Sequence, residues 1–414
     1  MSIQPGKHTV STRGGAAEAA DHASLVPIYC MALGTFAIGT EVYMIAPLLP
    51  RMAVDFGRSL SAVALLITVF TLTLALSSPI LTVLGARLNR RKLLLAAIGV
   101  FAAGNFVAWA STDFFGILMA RIILAISAGL YVPNASALAG VTVGPNRRAT
   151  ALAIVNSGTT IAVALGLPLG SLIGNAFGWR MTFLAVGVMA IVAAVGIAMG
   201  VPATVGDGLR VPGFRERVTT ATRPRVWMTL LVTLLWAAAV YTAYPMIAPF
   251  LVEVAKVSGW GITAMLSLWG VSAAAGVLAS GKLTDRFGST AIIIAALAFG
   301  ILAFLFLAAI AFSAPTHPVL PVAIGLVCWG FSAWGVVPAL MARLVKAGGV
   351  SEAPISLSLN YSVMYAGFSL GSWIGARIVA QGGIHGIDLI AACLEAAALI
   401  FFLLTRHIID RSRE

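Results

Sequence analysis

MIAPLL at residues 44–49 returns as MIAPFL at residues 246–251, 202 positions later. LGSLIG at residues 169–174 returns as LGSWIG at residues 370–375, 201 positions later. Two separate matches at nearly the same offset, in a chain of 414 residues, indicate two homologous halves of about 200 residues each. We therefore expect one structural unit that is built twice.

The composition is that of an integral membrane protein. Hydrophobic residues make up 60% of the sequence and charged residues 10%, whereas soluble domains hold about 45–50% and about 25%. A helix needs roughly 20 apolar residues to cross the hydrocarbon core of a bilayer, and hydropathy predicts twelve such helices in two pseudo-symmetric six-helix bundles. The predicted helices 1 to 12 are residues 25–49, 60–84, 93–111, 114–138, 149–175, 181–203, 226–250, 260–282, 289–313, 319–345, 354–380 and 386–408.

The polar segments divide the chain into five predicted parts. They are a disordered cytoplasmic tail (1–24), an N-terminal bundle (25–203), a cytoplasmic linker (204–225), a C-terminal bundle (226–408) and a cytoplasmic tail (409–414). The three cysteines (Cys30, Cys328 and Cys393) all fall in apolar segments, so we expect neither a disulfide framework nor a metal cluster.

The basic residues are distributed unevenly between the two ends of the predicted helices. If the N-terminus is cytoplasmic, twenty of the 26 lysines and arginines lie on the cytoplasmic side and five on the outer side. Short loops rich in Lys and Arg remain in the cytoplasm, so both termini are predicted to be cytoplasmic. Basic loops that face anionic lipid headgroups also explain the net charge of +12 without a nucleic-acid partner.

GKLTDRFG at residues 281–288 occupies the loop between predicted helices 8 and 9. This stretch resembles the cytoplasmic G-x-L-x-D-R-x-G signature of the major facilitator superfamily. The resemblance implies a glycine turn beside an acid and a base, which can latch the two halves in one state. The corresponding first-half loop, residues 84–92, keeps the basic residues but has Ala86 at the position of the aspartate. The predicted latch residues are Gly281, Asp285, Arg286 and Gly288 in the second half and Arg87, Arg90 and Arg91 in the first.

Residues 28–405 are similar to the drug–proton antiporters of that superfamily, in the arabinose-efflux-permease-like branch. TE at residues 40–41 ahead of APLLP at 46–50, VPAL at 337–340 and LN at 359–360 carry this likeness. It implies that the two bundles rock around a central substrate site, which helices 1 and 4 border.

Predicted helix 5 contains Gly158, Gly166, Pro168, Gly170 and Gly174, followed by Gly-Trp-Arg. This pattern looks like the glycine-and-proline motif associated with antiporters of the superfamily. Small residues four apart let helices approach closely, and the proline permits a bend. Generic helix packing is the alternative, because helix 11 repeats the same glycine spacing.

Glu41 and Arg121 are charges within predicted helices 1 and 4. Glu41 lies about 24 Å from the cytoplasmic end of its helix, and Arg121 about 10 Å from the outer end of its own, so the two share a similar depth. A carboxylate there is unfavourable by several kcal/mol unless it is paired or protonated. We predict a proton-coupling pair, in which the acid ionises beside the cation and takes up a proton when substrate or motion separates them. A static salt bridge is the alternative. The positions that correspond in the second half are Ala243 and the vicinity of Gly325, so the charges belong to the first half alone.

Polar and aromatic residues on the expected cavity helices are the candidates for substrate binding, through hydrogen bonds and stacking. They are Asn156, Tyr241, Tyr244, Trp334, Asn360 and Tyr361. Glu395, in predicted helix 12, is a further charge within the membrane, either a second proton site or a neutral acid against a partner helix.

The expected function is secondary active transport by alternating access. The chain is predicted to export a small organic molecule (drug, sugar or nucleoside-like) in exchange for protons, as a monomer in the inner membrane of a bacterium. We expect no cofactor and no enzymatic activity, because the sequence has neither a catalytic group set nor a nucleotide-binding loop. Two alternatives remain open: an uncoupled facilitator or proton symporter on the same fold, and a membrane receptor or sensor without transport.

Overall fold

The computed structural model describes residues 25–85, 88–144, 147–203, 213–349 and 352–410. These residues form twelve helices that are long and apolar enough to cross a membrane, which confirms the predicted fold class. We call the side on which the first helix begins and the last one ends the termini side, and the opposite side the far side. The helices are α1 (Val26–Asp55), α2 (Leu60–Leu84), α3 (Arg90–Ala110), α4 (Phe114–Thr142), α5 (Arg148–Phe177), α6 (Arg180–Gly200), α7 (Pro224–Glu253), α8 (Trp260–Phe287), α9 (Ser289–Ser313), α10 (Val319–Gly348), α11 (Ala353–Ala380) and α12 (Ile387–Asp410).

The two halves repeat one packing scheme. In the first half α1 packs against α5 and α6, and α3 packs against α4 and α6. In the second half α7 packs against α11 and α12, and α9 packs against α10 and α12. The halves meet along two helix pairs, α2 with α11 and α5 with α8.

Helices α1 and α7 are each interrupted at the repeated MIAP stretch, but about one helical turn apart, because the turn in α1 contains Pro47 of the stretch whereas the turn in α7 contains Pro245, which precedes it. The α-helix Val26–Tyr43 gives way to a 3-10 turn at Ala46–Leu48 and resumes as Leu49–Asp55. In α7 the 3-10 turn is Tyr244–Met246. A proline lies in each turn, and because proline has no backbone N–H and its ring crowds the carbonyl four residues earlier, the regular helix ends there. The sequence predicted continuous helices over 25–49 and 226–250, so both interruptions are findings of the structure.

Glycines set the distance between α5 and α1. A methyl group on Gly158, Gly166, Gly170 or Gly174 would overlap atoms of α1. The same arrangement joins α11 to α7, where a methyl group on Gly371 would meet the backbone of α7. Pro168 lies inside α5, which continues without a break to Phe177. The glycine pattern of predicted helix 5 therefore serves close packing within a half, and its echo in helix 11 does the same.

Hydrogen bonds join the halves near the far side. In one helix pair the Ser171 and Thr263 hydroxyls are 2.6 Å apart, and the Asn175 amide donates to the same Thr263 oxygen over 3.1 Å. In the other, the Thr68 hydroxyl donates to the Ser372 hydroxyl over 2.9 Å. Ser171 and Ser372 are the serines of the repeated LGS stretch, so the duplicated sequence supplies equivalent contacts to both helix pairs.

Gly270 of α8 lies directly against the backbone of the opposite half. A methyl group on this residue would meet the carbonyl oxygens of Val163 and Ala164 in α5. The predicted tail 1–24 lies outside the described residues, as do 204–212 of the predicted linker and 411–414. The described end of the linker contains a short helix, Phe214–Ala221, which we call the linker helix.

Candidate functional site

Glu41 and Arg121 form a buried ion pair between α1 and α4. A terminal nitrogen of Arg121 lies 2.5 Å from Glu41 Oε1, and both side chains are 0% exposed. Arg121 Nε donates to the Leu66 carbonyl of α2 over 3.3 Å, and its guanidinium lies 3.9 Å from the centroid of the Phe70 ring. Because these contacts fix Arg121 against α2, a movement of α1 changes its distance from Glu41.

The ion pair retains unused hydrogen-bonding capacity. Glu41 Oε2 and Arg121 Nη2 are buried and have no hydrogen-bond partner within the described residues. The Tyr241 hydroxyl, on α7 of the second half, is likewise buried and unpartnered there. Since buried polar groups are normally hydrogen-bonded, an acceptor and two donors at the boundary between the halves are available to a proton, a water molecule or a substrate.

An aromatic cluster lies beside the ion pair and connects the two halves. Tyr241 stacks on Phe368 with ring centroids 3.7 Å apart and on Tyr244 with centroids 4.9 Å apart. The Tyr244 hydroxyl donates to the Tyr43 carbonyl over 2.8 Å, from one helix interruption to the other. Trp334 meets the Tyr43 ring edge-on at 5.7 Å. The members of the aromatic cluster are Tyr43, Trp236, Tyr241, Tyr244, Trp334 and Phe368, all buried.

Asn156 and Tyr361 lie on exposed helix faces directed at the opposite half. Val163 and Ser372 contact the opposite half, through Gly270 and Thr68 respectively. Asn156 lies seven residues before Val163, and Tyr361 lies eleven residues before Ser372. At 3.6 residues per turn, each pair shares a helix face. Both side chains are exposed, Tyr361 by 38%. The halves therefore meet at the far side and are separated at these positions, nearer the termini side.

The six predicted substrate residues thus occupy three environments. Asn156 and Tyr361 border the gap between the halves, whereas Tyr241, Tyr244 and Trp334 belong to the aromatic cluster at its closed end. Asn360 is 2% exposed, and its side-chain oxygen accepts a hydrogen bond from the Thr233 hydroxyl of α7 over 2.8 Å. In this conformation Asn360 therefore joins two helices of the second half.

The predicted acid and base of the second-half latch do not pair with each other among the described contacts. Asp285 and Arg286 at the end of α8 are both exposed, and no ion pair between them occurs in the described part of the chain. The Arg286 guanidinium lies over the neighbouring Phe287 ring, 5.1 Å from its centroid. Gly281 and Gly288 have open space around them, and Gly288 has a φ of +82°, the conformation that ends α8.

The basic residues of the first-half loop contact helices of their own half. Arg90 is 3% exposed and donates to Asn134 Oδ1 of α4 over 2.7 Å. Arg91 donates to the Ala198 carbonyl of α6 over 2.7 Å. Arg87 lies outside the described residues. The described contacts therefore hold α3 to its neighbours on the termini side.

Sequence reasoning missed part of the site. Tyr43, Trp236 and Phe368 are aromatic cluster members that were not among the candidates, although Tyr43 directly precedes the repeated MIAP stretch. Asp388 of α12 was missed too; it is 3% exposed and lies on the same helix as Glu395, which is 1% exposed. Asp388 lies in the first turn of α12, where acidic residues are common. Its position in the sequence therefore did not indicate a site residue.

Two of the similar bacterial proteins are named as transporters and a third as a resistance protein. "Uncharacterized MFS-type transporter YbcL" from Bacillus subtilis (strain 168) is 30% identical over 377 residues, which cover 91% of this chain and 95% of the relative. "Inner membrane transport protein YdhP" from Escherichia coli (strain K12) is 30% identical over 383 residues, covering 92% and 95%. "Chloramphenicol resistance protein" from Streptomyces lividans is 31% identical over 263 residues, covering 63% and 67%.

A solved structure shares the fold. The crystal structure of a bacterial homolog of the human lysosomal transporter Spinster superposes with a TM-score of 0.70 at 18% identity, covering 93% of this chain and 95% of that chain. The family model of the Major Facilitator Superfamily matches residues 31–353. With twelve membrane-spanning helices in two repeated halves, and relatives aligned over nearly its whole length, the chain belongs to the major facilitator superfamily.

Proposed function

We propose that this protein exports a small organic molecule from the bacterial cytoplasm in exchange for protons. The observation that carries the proposal is the buried Glu41–Arg121 ion pair, with one atom on each residue that has no partner among the described residues, beside an aromatic cluster that joins the halves. A buried ion pair is a doubtful source of stability, because desolvation offsets most of the attraction. A role in binding and releasing a proton explains why the pair is placed at the boundary between the halves.

Alternating access follows from the contacts between the halves. The conformation described here is closed at the far side by the Ser171–Thr263 and Thr68–Ser372 hydrogen bonds. The gap bordered by Asn156 and Tyr361 is the proposed entry from the termini side. The excess of basic residues on that side supports its location in the cytoplasm, and the relative YdhP carries the name of an inner membrane transport protein.

The proton step is a change of partner for Glu41. In this conformation the carboxylate is ionised against Arg121, and the protein accepts substrate from the cytoplasm. Substrate that binds to Arg121, or a local movement of α1 within the first half as the far side opens, separates the two charges, while Leu66 and Phe70 hold Arg121 against α2. A carboxylate without its cation inside the membrane takes up a proton. The neutral form then returns to the cytoplasmic-facing state, where Arg121 displaces the proton.

The aromatic cluster favours a ring-bearing substrate that is neutral or singly charged. Tyr241 and Trp334 present flat apolar faces, and the Tyr241 hydroxyl and Trp334 Nε1 are buried atoms without a partner among the described residues. A site of this kind binds rings by stacking and fixes them by a few hydrogen bonds. The likeness to a chloramphenicol resistance protein supports a drug-like substrate and the place of this chain among the drug–proton antiporters.

The experiment measures substrate-induced proton release from everted, respiring membrane vesicles. Respiration acidifies the vesicle interior, and a pH-sensitive dye reports protons that leave when a compound is added. A panel of sugars, nucleosides and aromatic drugs is screened with wild type, Glu41→Gln and the control Glu253→Gln, whose carboxyl is exposed. We expect a response to some compound in wild type and the control that is absent in Glu41→Gln. A wild type that exchanges a compound across the membrane without releasing protons would rule out antiport and leave a facilitator.

A further inference from the structure

Two acidic residues of α12 are buried in the second half, away from the Glu41–Arg121 pair. Asp388 is 3% exposed and Glu395 is 1% exposed. They are seven residues apart, so they lie on one face of the helix, about 10 Å from each other along its axis. The proposed transport mechanism uses neither residue.

Asp388 lines a small internal cavity next to the interruption of α7. Apolar side chains from α7, α9 and α10 surround it. The lining residues that bear on the argument are Ala243, Ile247 and Phe250 of α7, Leu307 of α9 and Trp329 of α10. Asp388 Oδ2 is buried and has no hydrogen-bond partner among the described residues, and the same holds for Trp329 Nε1. The lining residues therefore carry one carboxyl oxygen and one indole N–H without a partner in the described part of the chain, and the rest of the wall is apolar.

Glu395 faces α9 and lies two helical turns further from the far side than Asp388. Its carboxyl group contacts Gly300, where any larger side chain would overlap it. Within the described part of the chain both of its oxygens are buried and lack a hydrogen-bond partner. Gly300 thus leaves a space for the carboxyl group, but nothing in that space binds a negative charge.

Among the described residues no cation forms an ion pair with either acid. Helix α9 has no charged residue between Ser289 and Ser313. In α10, Arg343 donates to Thr290 and to the Arg406 carbonyl at the termini side. The other charged or titratable side chains on and around α12 are Arg225, Tyr241, Tyr244 and Glu253 of α7, Cys328 and Lys346 of α10, Glu352 just before α11, Tyr361, Tyr365 and Arg377 of α11, the exposed His385 in the turn before α12, and Cys393, Arg406 and His407 of α12 itself.

We propose that Asp388 and Glu395 form a second proton-binding site in the second half, in which both carboxyl groups are protonated in this conformation and exchange their protons with the far side. An ionised carboxylate without a cation or hydrogen bonds is strongly unfavourable in such surroundings, and one proton on each group makes it neutral. No other ligand is required, because a proton occupies no additional volume.

The position of Asp388 links this site to the moving part of the protein. The cavity wall includes Ile247 and Phe250, which follow the 3-10 turn of α7, and the Tyr244 hydroxyl in that turn holds the Tyr43 carbonyl of the other half. Asp388 is also in the first turn of α12, at the far side. A movement of the α7 interruption that opens the far side would expose Asp388 to water first, and Glu395 would then exchange through it. The inference adds a site to the proposed proton-coupled transport, but its test does not depend on flux.

Infrared difference spectroscopy tests the proposal on the full chain in lipid nanodiscs at neutral pH. A protonated carboxyl group gives a carbonyl-stretch band that shifts in D2O and disappears when the group ionises. We expect Asp388→Asn and Glu395→Gln each to remove one component of this band, and the double variant to remove both. Asp285→Asn is the matched control, because its carboxyl is exposed and should contribute no such band. Glu41→Gln reports separately on the central carboxyl, so failure of this proposal is distinguishable from failure of the export mechanism.

A second measurement uses wild type alone, in case the variants do not fold. A hydrophobic carbodiimide reacts with protonated carboxyl groups in apolar surroundings, and mass spectrometry locates the adducts. We expect adducts at Asp388 or Glu395 whose yield falls as the pH is raised. The proposal is overturned if neither residue is labelled, if the double variant keeps the full carbonyl band, or if the band does not respond to D2O.

Discussion

Replacing Gly270 by alanine should shift the protein away from the conformation that is closed at the far side. The added methyl group would overlap the carbonyl oxygens of Val163 and Ala164 in the opposite half. Backbone atoms cannot turn aside as a flexible side chain can, so α5 and α8 must separate. Because these helices belong to different halves, their separation is the movement that opens the far side.

The magnitude follows from the usual cost of overpacking. One extra methyl group in a well-packed contact costs about 1–3 kcal/mol. Since the clash exists only when the far side is closed, this energy reduces the ratio of closed to open molecules by about 5-fold to 150-fold. Folding of each half should change little, because the affected contact lies between the halves.

Distance measurements between spin labels can observe this shift. Labels at Arg58→Cys and Ser258→Cys, both exposed at the far side of different halves, would report the opening in nanodiscs after the native cysteines are replaced. We expect Gly270→Ala to increase the long-distance population strongly. Gly140→Ala should have no effect, because nothing lies within 4 Å of the added group. Gly371→Ala, equally tight but within the second half, should lower thermal stability instead. An unchanged distance distribution in Gly270→Ala would refute this reasoning.

Three further predictions concern single contacts. Glu41→Gln and Arg121→Met should each lower the free energy of unfolding by about 3–5 kcal/mol, because the remaining partner stays buried without its counter-charge. The double variant should recover most of this loss. A double variant less stable than both single variants would contradict the assignment of a compensating pair. Ser171→Ala combined with Ser372→Ala removes one hydrogen bond from each helix pair that joins the halves, and each bond contributes about 0.5–1.5 kcal/mol. The double variant should raise the long-distance population in the same spin-label assay. An unchanged population would exclude these serines as contacts that close the far side. Arg343→Met loses hydrogen bonds to Thr290 and to a backbone carbonyl of α12. The variant should lower the unfolding temperature and leave the spin-label distances at the far side unchanged. A changed distance would contradict this prediction, since it would show that Arg343 helps to close the far side.

Hydropathy predicted the helix bounds well because every span must carry enough apolar residues to cross the hydrocarbon core. Predicted helix 2, residues 60–84, is Leu60–Leu84 in the structure. The interruptions of α1 and α7 could not be predicted with the same security, because a proline does not always break a membrane helix. Pro168 in α5 and Pro338 in α10 lie within continuous helices. What distinguishes the α1 and α7 interruptions is tertiary, since the Tyr244 hydroxyl of one reaches the backbone of the other.

The sequence predicted the Glu41–Arg121 part of the candidate site, because the depth of each charge along its helix was enough to suggest a contact. Glu41 and Arg121 share a level in the membrane, and they are in contact in the structure; their role in proton coupling remains a prediction. Residue type alone was insufficient for Asn360, because the sequence does not show that its helix face meets Thr233. Asp388 was not predicted as a site residue, because the side chains of α7, α9 and α10 that surround it come together only in the folded structure.

Driven transport by the purified protein tests the central claim most directly. The full chain is reconstituted into liposomes, an inward-acidic pH gradient is imposed, and accumulation of a compound found by the vesicle screen is measured beside substrate counterflow without a gradient. We expect wild type to show gradient-driven accumulation that a protonophore abolishes, and Glu41→Gln to keep counterflow but lose accumulation. Accumulation by Glu41→Gln at the rate of wild type would contradict the assignment of Glu41 as the proton carrier.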